Sequence, residues 1–168
     1  MPLADFLEKK MLDGLGFEPT PCQVDLIKKV SEYVLSPGAS PLPGVKEIMV
    51  INGHAGTGKT SVLASLVKVL NLFERNSILL APTGRAAKVL SGYTGKRAYT
   101  IHKHIYRQRS ISDGLGLFTL NINQNRDTIY IVDEASLISN DSDGSSFGSG
   151  HLLDDLIQYI YSGEGNKL

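Results

Sequence analysis

The chain has 168 residues, of which 42% are hydrophobic and 20% are charged, with 17 glycines and 7 prolines. This composition is typical of one globular domain and excludes collagen-like, coiled-coil and wholly disordered chains. Seventeen Lys and Arg balance 17 Asp and Glu, so the total charge predicts no polyanionic partner, and the lone Cys22 excludes an intrachain disulfide or a cysteine-based metal site.

Neither a membrane span nor a signal peptide is expected. The unbroken apolar runs are no longer than five residues, whereas a membrane-spanning helix needs roughly 18 apolar residues. The N-terminus carries Asp5, Glu8, Lys9 and Lys10 and lacks the apolar core of a signal peptide. We therefore expect a cytoplasmic protein with no membrane partner.

Residues 1–44 predict two helices and a connector. The second helix begins at Thr20-Pro21, because Thr can cap a helix and Pro suits its first position. It should end near Leu35, since the Pro/Gly-rich residues 36–44 cannot continue a helix. Its apolar positions recur at helical spacing: Val24, Ile27, Val30 and Val34. We expect residues 1–44 to form an N-terminal helical segment and residues 45–168 a separate domain.

Residues 45–168 alternate strands and helices. Three short apolar runs predict parallel strands covered on both faces: 48–51, 78–81 and 129–132. Helices are expected at 59–73 and 84–91. This alternation predicts a mostly parallel α/β fold, with a sheet flanked by helices.

Three further elements are expected downstream. Residues 118–122 alternate apolar and polar side chains, which is typical of a half-exposed, antiparallel strand. Residues 139–150 are rich in Ser, Gly and Asp and predict a mobile loop. A last helix at 151–161 is expected to turn its apolar side chains inward: Leu152, Leu153, Leu156, Ile157 and Ile160.

Residues 53–60 read GHAGTGKT and match the pattern GxxxxGK[ST] between an apolar strand and an amphipathic helix. Glycines let backbone N–H groups turn around a phosphate, and the helix N-terminus adds its positive dipole end. Lys59 supplies a charge to the β- and γ-phosphates of ATP, and Thr60 a hydroxyl to Mg²⁺. The alternative is a glycine-rich turn that happens to precede a helix, with His54 a tolerated loop residue. The predicted ATP contacts are Gly53, Ala55, Gly56, Thr57, Gly58, Lys59, Thr60 and Ser61.

The run at 129–132 ends in Asp133-Glu134, and both acids are candidates for catalysis together with Lys59. At the carboxyl end of a parallel strand, Asp133 can hold Mg²⁺ with Thr60, and Glu134 can orient and deprotonate the attacking water. The alternative is that the two acids only cap the next helix. Glu beside Asp favours hydrolysis of a nucleoside triphosphate.

These motifs resemble, in order and spacing over residues 20–138, those of superfamily 1 DNA helicases of the RecD/Dda type, including the helicase subunit of exodeoxyribonuclease V. The resemblance covers residues 53–60, then APTGRAAKVL at 81–90, TIH at 100–102 and VDEASLI at 132–138. The second block is the most specific. The resemblance implies a P-loop NTPase with a RecA-like fold that binds ATP and Mg²⁺, and we expect residues 45–168 to form part of this domain, incomplete at the C-terminal end.

The resemblance also implies that Gln23 contacts the adenine base. A structural alternative competes, because Thr20-Pro21-Cys22-Gln23 is a capping box in which Gln23 bonds back to the Thr20 backbone. We expect the side chain to do one of these at a time.

The resemblance implies that two of the motifs, TGR at 83–85 and TIH at 100–102, contact single-stranded DNA. They lie within residues 76–112, which hold seven basic and no acidic residues, with Tyr93, Tyr99 and Tyr106 interleaved. The alternative is a solvated basic face with the tyrosines packed into the core. The predicted DNA contacts are Thr83, Gly84, Arg85, Lys88, Thr100 and His102.

The resemblance implies a second RecA-like domain as a partner, with an arginine that stabilises the γ-phosphate charge, and it allows nuclease or recombination subunits. Neither that domain nor the third helicase motif is found in these residues. In RecA-like sheets, the strand with this motif lies between the phosphate-loop strand and the acidic strand. We therefore expect 48–51 and 129–132 to pair directly or to admit a substitute. Two other functions stay open, a P-loop kinase or other ATPase and a non-catalytic ATP-dependent binding module.

Overall fold

Two helices precede the sheet in the computed structural model, which describes residues 2–36, 46–109, 117–138 and 148–168. They are α1 (Leu3–Asp13) and α2 (Pro21–Leu35), and α2 has the predicted bounds. Both pack with the helix that follows the phosphate loop, through Met11, Ile27 and Val67. The predicted boundary at residue 44 lies outside the described residues, and the division into two units stays a prediction.

Strands and helices then follow one another along the chain. The elements are α3 (Lys59–Leu72), β1 (Ser77–Ala81), α4 (Gly84–Thr94), β2 (Ala98–Thr100), α5 (Ile101–Ile105), β3 (Tyr106–Arg109), β4 (Leu117–Leu120), β5 (Ile129–Val132), a 3-10 turn (Ala135–Leu137) and α6 (Leu152–Tyr161). Those at the predicted places are α3, β1, α4, β4, β5 and α6, and the structure adds β2, α5 and β3, which were not predicted. None of the described helices has the length and apolar character needed to cross a membrane.

The main sheet is parallel and has the order β2-β1-β5. Successive residues of a strand face opposite layers, which is why β5 and all but the first residue of β1 are apolar. Leu79 and Ile131 pack against α1, α2 and α3, whereas Leu80 and Tyr130 pack against α5 and α6. The predicted α/β fold class is confirmed.

The prediction of a strand at 48–51 is wrong for the described structure, which assigns no strand there. Val50 is 72% exposed, and the N–H of Met49 donates to the carbonyl of Leu168 (3.0 Å). Next to β5 lie residues 166–168, where Lys167 forms a parallel bridge with Ile129. Residues 166–168 therefore lie between 48–51 and β5, so the two segments do not pair directly and the alternative of a substitute is the one seen. Within the described ranges, the run at 48–51 forms no ladder with these residues.

Smaller differences concern the second half of the chain. β4 ends at Leu120, two residues early, and pairs antiparallel with β3, which was not predicted. Leu153 of α6 is 38% exposed rather than inward. Asp155 is buried on that helix instead, because the Tyr106 hydroxyl donates to its Oδ2 (2.6 Å). Most of the predicted 139–150 loop lies outside the described residues.

Lys167 ties the C-terminal residues to α2. Its side chain is buried, and its ammonium donates to the carbonyls of Tyr33 (2.5 Å) and Ser36 and to the Ser36 hydroxyl (3.0 Å). These carbonyls belong to the end of α2, where helical carbonyls lack partners and the dipole is negative. Burial lowers the pKa of Lys167.

Replacing Lys167 by Met should lower the free energy of unfolding by about 1–3 kcal/mol, because carbonyls at the end of α2 lose a charged donor. Urea denaturation measures this. Lys29→Met is the matched control, since Lys29 is an exposed α2 residue in a surface ion pair with Asp25, and should change stability by less than about 1 kcal/mol. Equal effects of the two substitutions would contradict the capping role.

His104 of α5 predicts a pH dependence of stability. Its ring lies 5.6–6.0 Å from those of Tyr99, Tyr130 and Tyr159. Within the described ranges its Nε2 is buried and has no hydrogen-bond partner. Burial lowers the pKa of His104 below its ordinary value, so the unfolded chain binds this proton more readily. Stability should therefore fall as the pH drops through about 6.5, the unfolded pKa of histidine.

His104→Phe keeps the ring packing but removes the titrating group. Its free energy of unfolding, measured by urea denaturation at each pH, should fall less between pH 7 and pH 5 than that of the wild type. His151→Gln removes an exposed imidazole at the start of α6 and serves as the control. If the wild-type chain and His104→Phe lose stability in parallel, His104 is not the titrating group.

Candidate nucleotide and nucleic-acid site

The predicted functional segments after the three parallel strands lie at one edge of the sheet. Leu80 of β1 is in register with Tyr99 of β2 and with Val132 of β5. The strands are parallel, so the residues that follow them leave the sheet at the same carboxyl edge, where α/β folds bind ligands. The N–H of Asp133 donates to the carbonyl of Leu80 (3.1 Å), so the acidic pair begins beside the end of β1.

The phosphate loop belongs to the same edge. α3 packs on β1 and is joined to it by residues 73–76 alone, so the helix runs back along the strand before β1 begins. The N-terminus of α3 therefore lies toward the carboxyl end of the sheet, with residues 53–58 directly before it.

The loop is closed on itself by hydrogen bonds. The Lys59 ammonium donates to the carbonyls of Gly53 (2.5 Å) and His54 (2.7 Å), and the Thr57 hydroxyl also donates to His54 (2.8 Å). Gly56 and Gly58 have φ of +79° and +82°, a region that favours glycine. These two motif glycines thus adopt a backbone conformation that other residues rarely take, and their contact with a phosphate stays a prediction.

Gln23 takes part in the predicted capping box and also contacts the phosphate loop. The N–H of Thr20 donates to Oε1 of Gln23 (2.9 Å) and the N–H of Gln23 to the Thr20 hydroxyl (3.3 Å), which completes the capping box. Its Nε2 donates to the carbonyl of Thr57 in the phosphate loop (3.0 Å). The capping-box alternative is thus present in the structure, and the amide nitrogen makes a bond of its own to the loop. The adenine contact stays a prediction.

The acidic pair has an unusual backbone. Glu134 is exposed and left-handed, with φ of +54°, and its N–H donates to Oδ1 of Asp133 (2.9 Å). A non-glycine residue in this region carries strain, which is frequent at functional sites. Glu134 precedes the 3-10 turn but makes no side-chain capping bond, so the alternative of a simple helix cap is not supported for this residue.

Both threonines of the predicted DNA motifs cap helices. The Thr83 hydroxyl accepts from the N–H of Ala86 (3.1 Å) at the start of α4, and that of Thr100 accepts from Lys103 (3.3 Å) at the start of α5. The sequence analysis missed this role, which the pattern of Thr before a short helix could have suggested. Exposed side chains next to these caps include Arg85 and Lys88, while His102 is half-buried.

The basic segment does not form one surface. Lys96 donates to the Ser77 hydroxyl (2.7 Å) at the beginning of β1, at the opposite edge of the sheet. Tyr106 is buried by its bond to Asp155 and is not available to stack on a base. Tyr93 is 64% exposed, and the Arg97 guanidinium lies over the ring of half-buried Tyr99 at 5.1 Å. The alternative of tyrosines packed into the core is right for Tyr106.

The sequence profile of a family described as AAA domain matches residues 42–144, more than half of the chain. The chain belongs to this AAA domain family. With the parallel sheet and the phosphate loop, it is a nucleotide-binding P-loop ATPase domain with an α/β, RecA-like fold.

Two curated proteins show the breadth of the similarity. The chain is 29% identical over 130 residues, 71% of its length, to an uncharacterized protein of Methanocaldococcus jannaschii, of which it covers 11%. It is 45% identical over 58 residues, 34% of its length, to the ATP-dependent DNA helicase dda of Enterobacteria phage T4, of which it covers 13%. The chain thus spans a small fraction of the length of these relatives.

Substituting Gly58 by Ala should disturb the loop for two reasons. The left-handed backbone costs about 1–2 kcal/mol with a side chain, and the added Cβ would lie 2.6 Å from Nε2 of Gln23. We expect lower stability and weaker ATP binding, measured by urea denaturation and by titration of a fluorescent ATP analogue.

Gly92→Ala is the matched control, because a Cβ at Gly92 in α4 meets nothing within 4 Å. It should raise stability by up to about 1 kcal/mol through helix propensity and leave ATP binding unchanged. Unaltered ATP affinity in Gly58→Ala would show that the loop tolerates a side chain there.

Proposed function

We propose that the chain is the ATP-hydrolysing motor domain of a DNA helicase that acts on single-stranded DNA in recombination or repair. The observation that carries this proposal is the shared carboxyl edge. The acidic pair follows β5, the TGR segment follows β1, and the TIH segment begins at the end of β2. The phosphate loop precedes α3, whose N-terminus lies toward the same edge.

The phosphate loop would hold the triphosphate of ATP. Its backbone N–H groups and the start of α3 provide donors and a positive dipole end, and the Lys59 ammonium adds a full charge. In the described structure this ammonium donates to two loop carbonyls. It would turn from these toward the β- and γ-phosphates when the nucleotide binds. Gln23 would contact adenine with the second N–H of its amide.

Thr60 and Asp133 are suited to Mg²⁺, because a hydroxyl and a carboxylate are the oxygen ligands that this ion prefers. Both side chains are half-buried rather than free in solvent. Bound there with the phosphates, Mg²⁺ would neutralise charge that develops on their oxygens.

Glu134 would act as the general base. Its carboxylate takes a proton from a water molecule, whose oxygen forms a bond to the γ-phosphorus while the bond to the β–γ bridging oxygen breaks, giving ADP and phosphate. Glu134 is exposed, and its backbone is held by the bond from its N–H to Oδ1 of Asp133, so its carboxylate lies at the surface where a water molecule can reach it. A second RecA-like domain would supply an arginine worth about 10³–10⁵ in rate, so this chain alone should hydrolyse ATP slowly.

Single-stranded DNA would bind along the exposed start of α4 and the end of β2. Arg85 and Lys88 are exposed cations, and residues 76–112 hold no acid that would repel phosphates. The printed name of the phage relative, a DNA helicase, supports this substrate class.

Single-turnover hydrolysis of ATP, with and without single-stranded DNA, tests the proposal. We expect DNA to accelerate hydrolysis, Lys59→Ala to abolish ATP binding, and Glu134→Gln to keep binding while lowering the hydrolysis rate by about 10²–10⁴. Lys68→Ala, at an exposed α3 position, is the control and should behave as the wild type.

Arg85→Ala tests the DNA contact: it should keep ATP binding but lose the acceleration of hydrolysis by single-stranded DNA. Arg126→Ala is the control, because the Arg126 side chain is exposed and paired with Glu164. Hydrolysis that ignores DNA would point to another kind of P-loop ATPase. Tight ATP binding without turnover, with or without DNA, would favour a non-catalytic binding module.

A further inference from the structure

Gln23 makes a contact that base recognition does not require. Its Nε2 lies 3.0 Å from the carbonyl oxygen of Thr57, 34 residues further along the chain. We propose that Gln23 is a positioning residue that holds the phosphate loop in its binding conformation and so raises affinity for the triphosphate part of any nucleotide. This inference rests on the proposed function and deepens it.

The orientation of the amide follows from its partners. Oε1 faces the backbone N–H of Thr20, a donor, and Nε2 faces the carbonyl of Thr57, an acceptor. If the amide were flipped, its NH₂ group would face the N–H of Thr20, and its oxygen would face the carbonyl of Thr57. Neither pair could form a hydrogen bond. The capping box at the start of α2 therefore aims the NH₂ group at the loop.

Thr57 is the point at which such a bond has most effect. It lies between Gly56 and Gly58, both with positive φ, and glycines give a chain its greatest conformational freedom. Its hydroxyl is already bonded to His54 within the loop, whereas Gln23 connects its carbonyl to a different element. The bond limits the freedom that the two glycines allow.

The approach of Gln23 requires the glycine beside it. A Cβ at Gly58 would lie 2.6 Å from Nε2, so the motif glycine leaves space for the amide as well as permitting the left-handed backbone. A side chain at this position would have to displace the amide from its bond to the Thr57 carbonyl.

The element that carries Gln23 is itself fixed. α2 begins with Pro21, buries Ile27 and Val30 in the core, and has its last carbonyls bound by the Lys167 ammonium. A loop attached to this helix shares its rigidity. One hydrogen bond of about 0.5–1.5 kcal/mol corresponds to a two- to tenfold change in the population of the binding conformation.

The test compares ATP with inorganic tripolyphosphate, which has no base, in the presence of Mg²⁺. Gln23→Met keeps the length of the side chain, adds no charge and removes the bond to Thr57. Competition against a fluorescent ATP analogue should show about two- to tenfold weaker binding of tripolyphosphate. ATP should lose at least as much.

Thr20→Ala is the matched control. It weakens the same capping box, and so the stability of α2, but leaves the Nε2 contact to Thr57 in place. It should lower the midpoint of thermal unfolding without changing tripolyphosphate affinity. If Gln23→Met weakens ATP but not tripolyphosphate, Gln23 only contacts the base and the inference is wrong. If Thr20→Ala weakens tripolyphosphate as much as Gln23→Met does, the effect comes from α2 stability and the inference is equally wrong.

Hydrogen exchange of the nucleotide-free chain separates this inference from the proposed function. Backbone amides of residues 54–58 should exchange about two- to tenfold faster in Gln23→Met than in the wild type or Thr20→Ala. Unchanged exchange would overturn the positioning role, whatever the chain binds. Faster exchange in a chain that binds neither ATP nor tripolyphosphate would leave the positioning of the loop established and overturn the proposed function.

Discussion

The direction of the strands is the constraint on which the site depends. β1, β2 and β5 are parallel, so every segment that follows them leaves the sheet at one edge, and the helix that precedes β1 must start there. Parallel strands need crossover connections, which place helices on both faces of the sheet and leave only its ends open to ligands. Candidate functional residues from distant parts of the sequence therefore lie at one edge of the sheet. No specific contact between each pair of them is needed to place them there.

α2 contacts the phosphate loop at its start and the C-terminal residues beside β5 at its end. At its first turn Gln23 donates to the phosphate loop, and at its end the carbonyls accept from Lys167, which pairs beside β5. β5 in turn leads to Asp133 and Glu134. The same helix therefore contacts the loop proposed for the triphosphate and also Lys167. Lys167 lies beside β5, the strand that precedes the proposed base, Glu134. A change in the position of either part would be opposed by the packing of Ile27 and Val30 in the core.

Sequence patterns predicted what depends on local chemistry and apolar periodicity. The bounds of α2 followed from Thr20-Pro21, and β1 and β5 followed from unbroken apolar runs. The run at 48–51 has the same character but forms no strand, because a strand also needs a partner and the described structure gives it one hydrogen bond, to Leu168. Tyr106 was misplaced for a related reason, since its partner Asp155 lies 49 residues away and no local pattern announces it.

The state of Lys59 bears on how the loop would respond to a nucleotide. Its ammonium already donates to Gly53 and His54, and Thr57 donates to the same His54 carbonyl. A phosphate must therefore replace existing hydrogen bonds, and the net gain is the difference between charge-assisted bonds to phosphate and bonds to neutral carbonyls. If Lys59 turned from these carbonyls to a phosphate, the bonds of the Thr57 hydroxyl and the Gln23 amide would still hold the loop. The bonds that do not involve the lysine would thus keep the loop in shape during the proposed movement of Lys59.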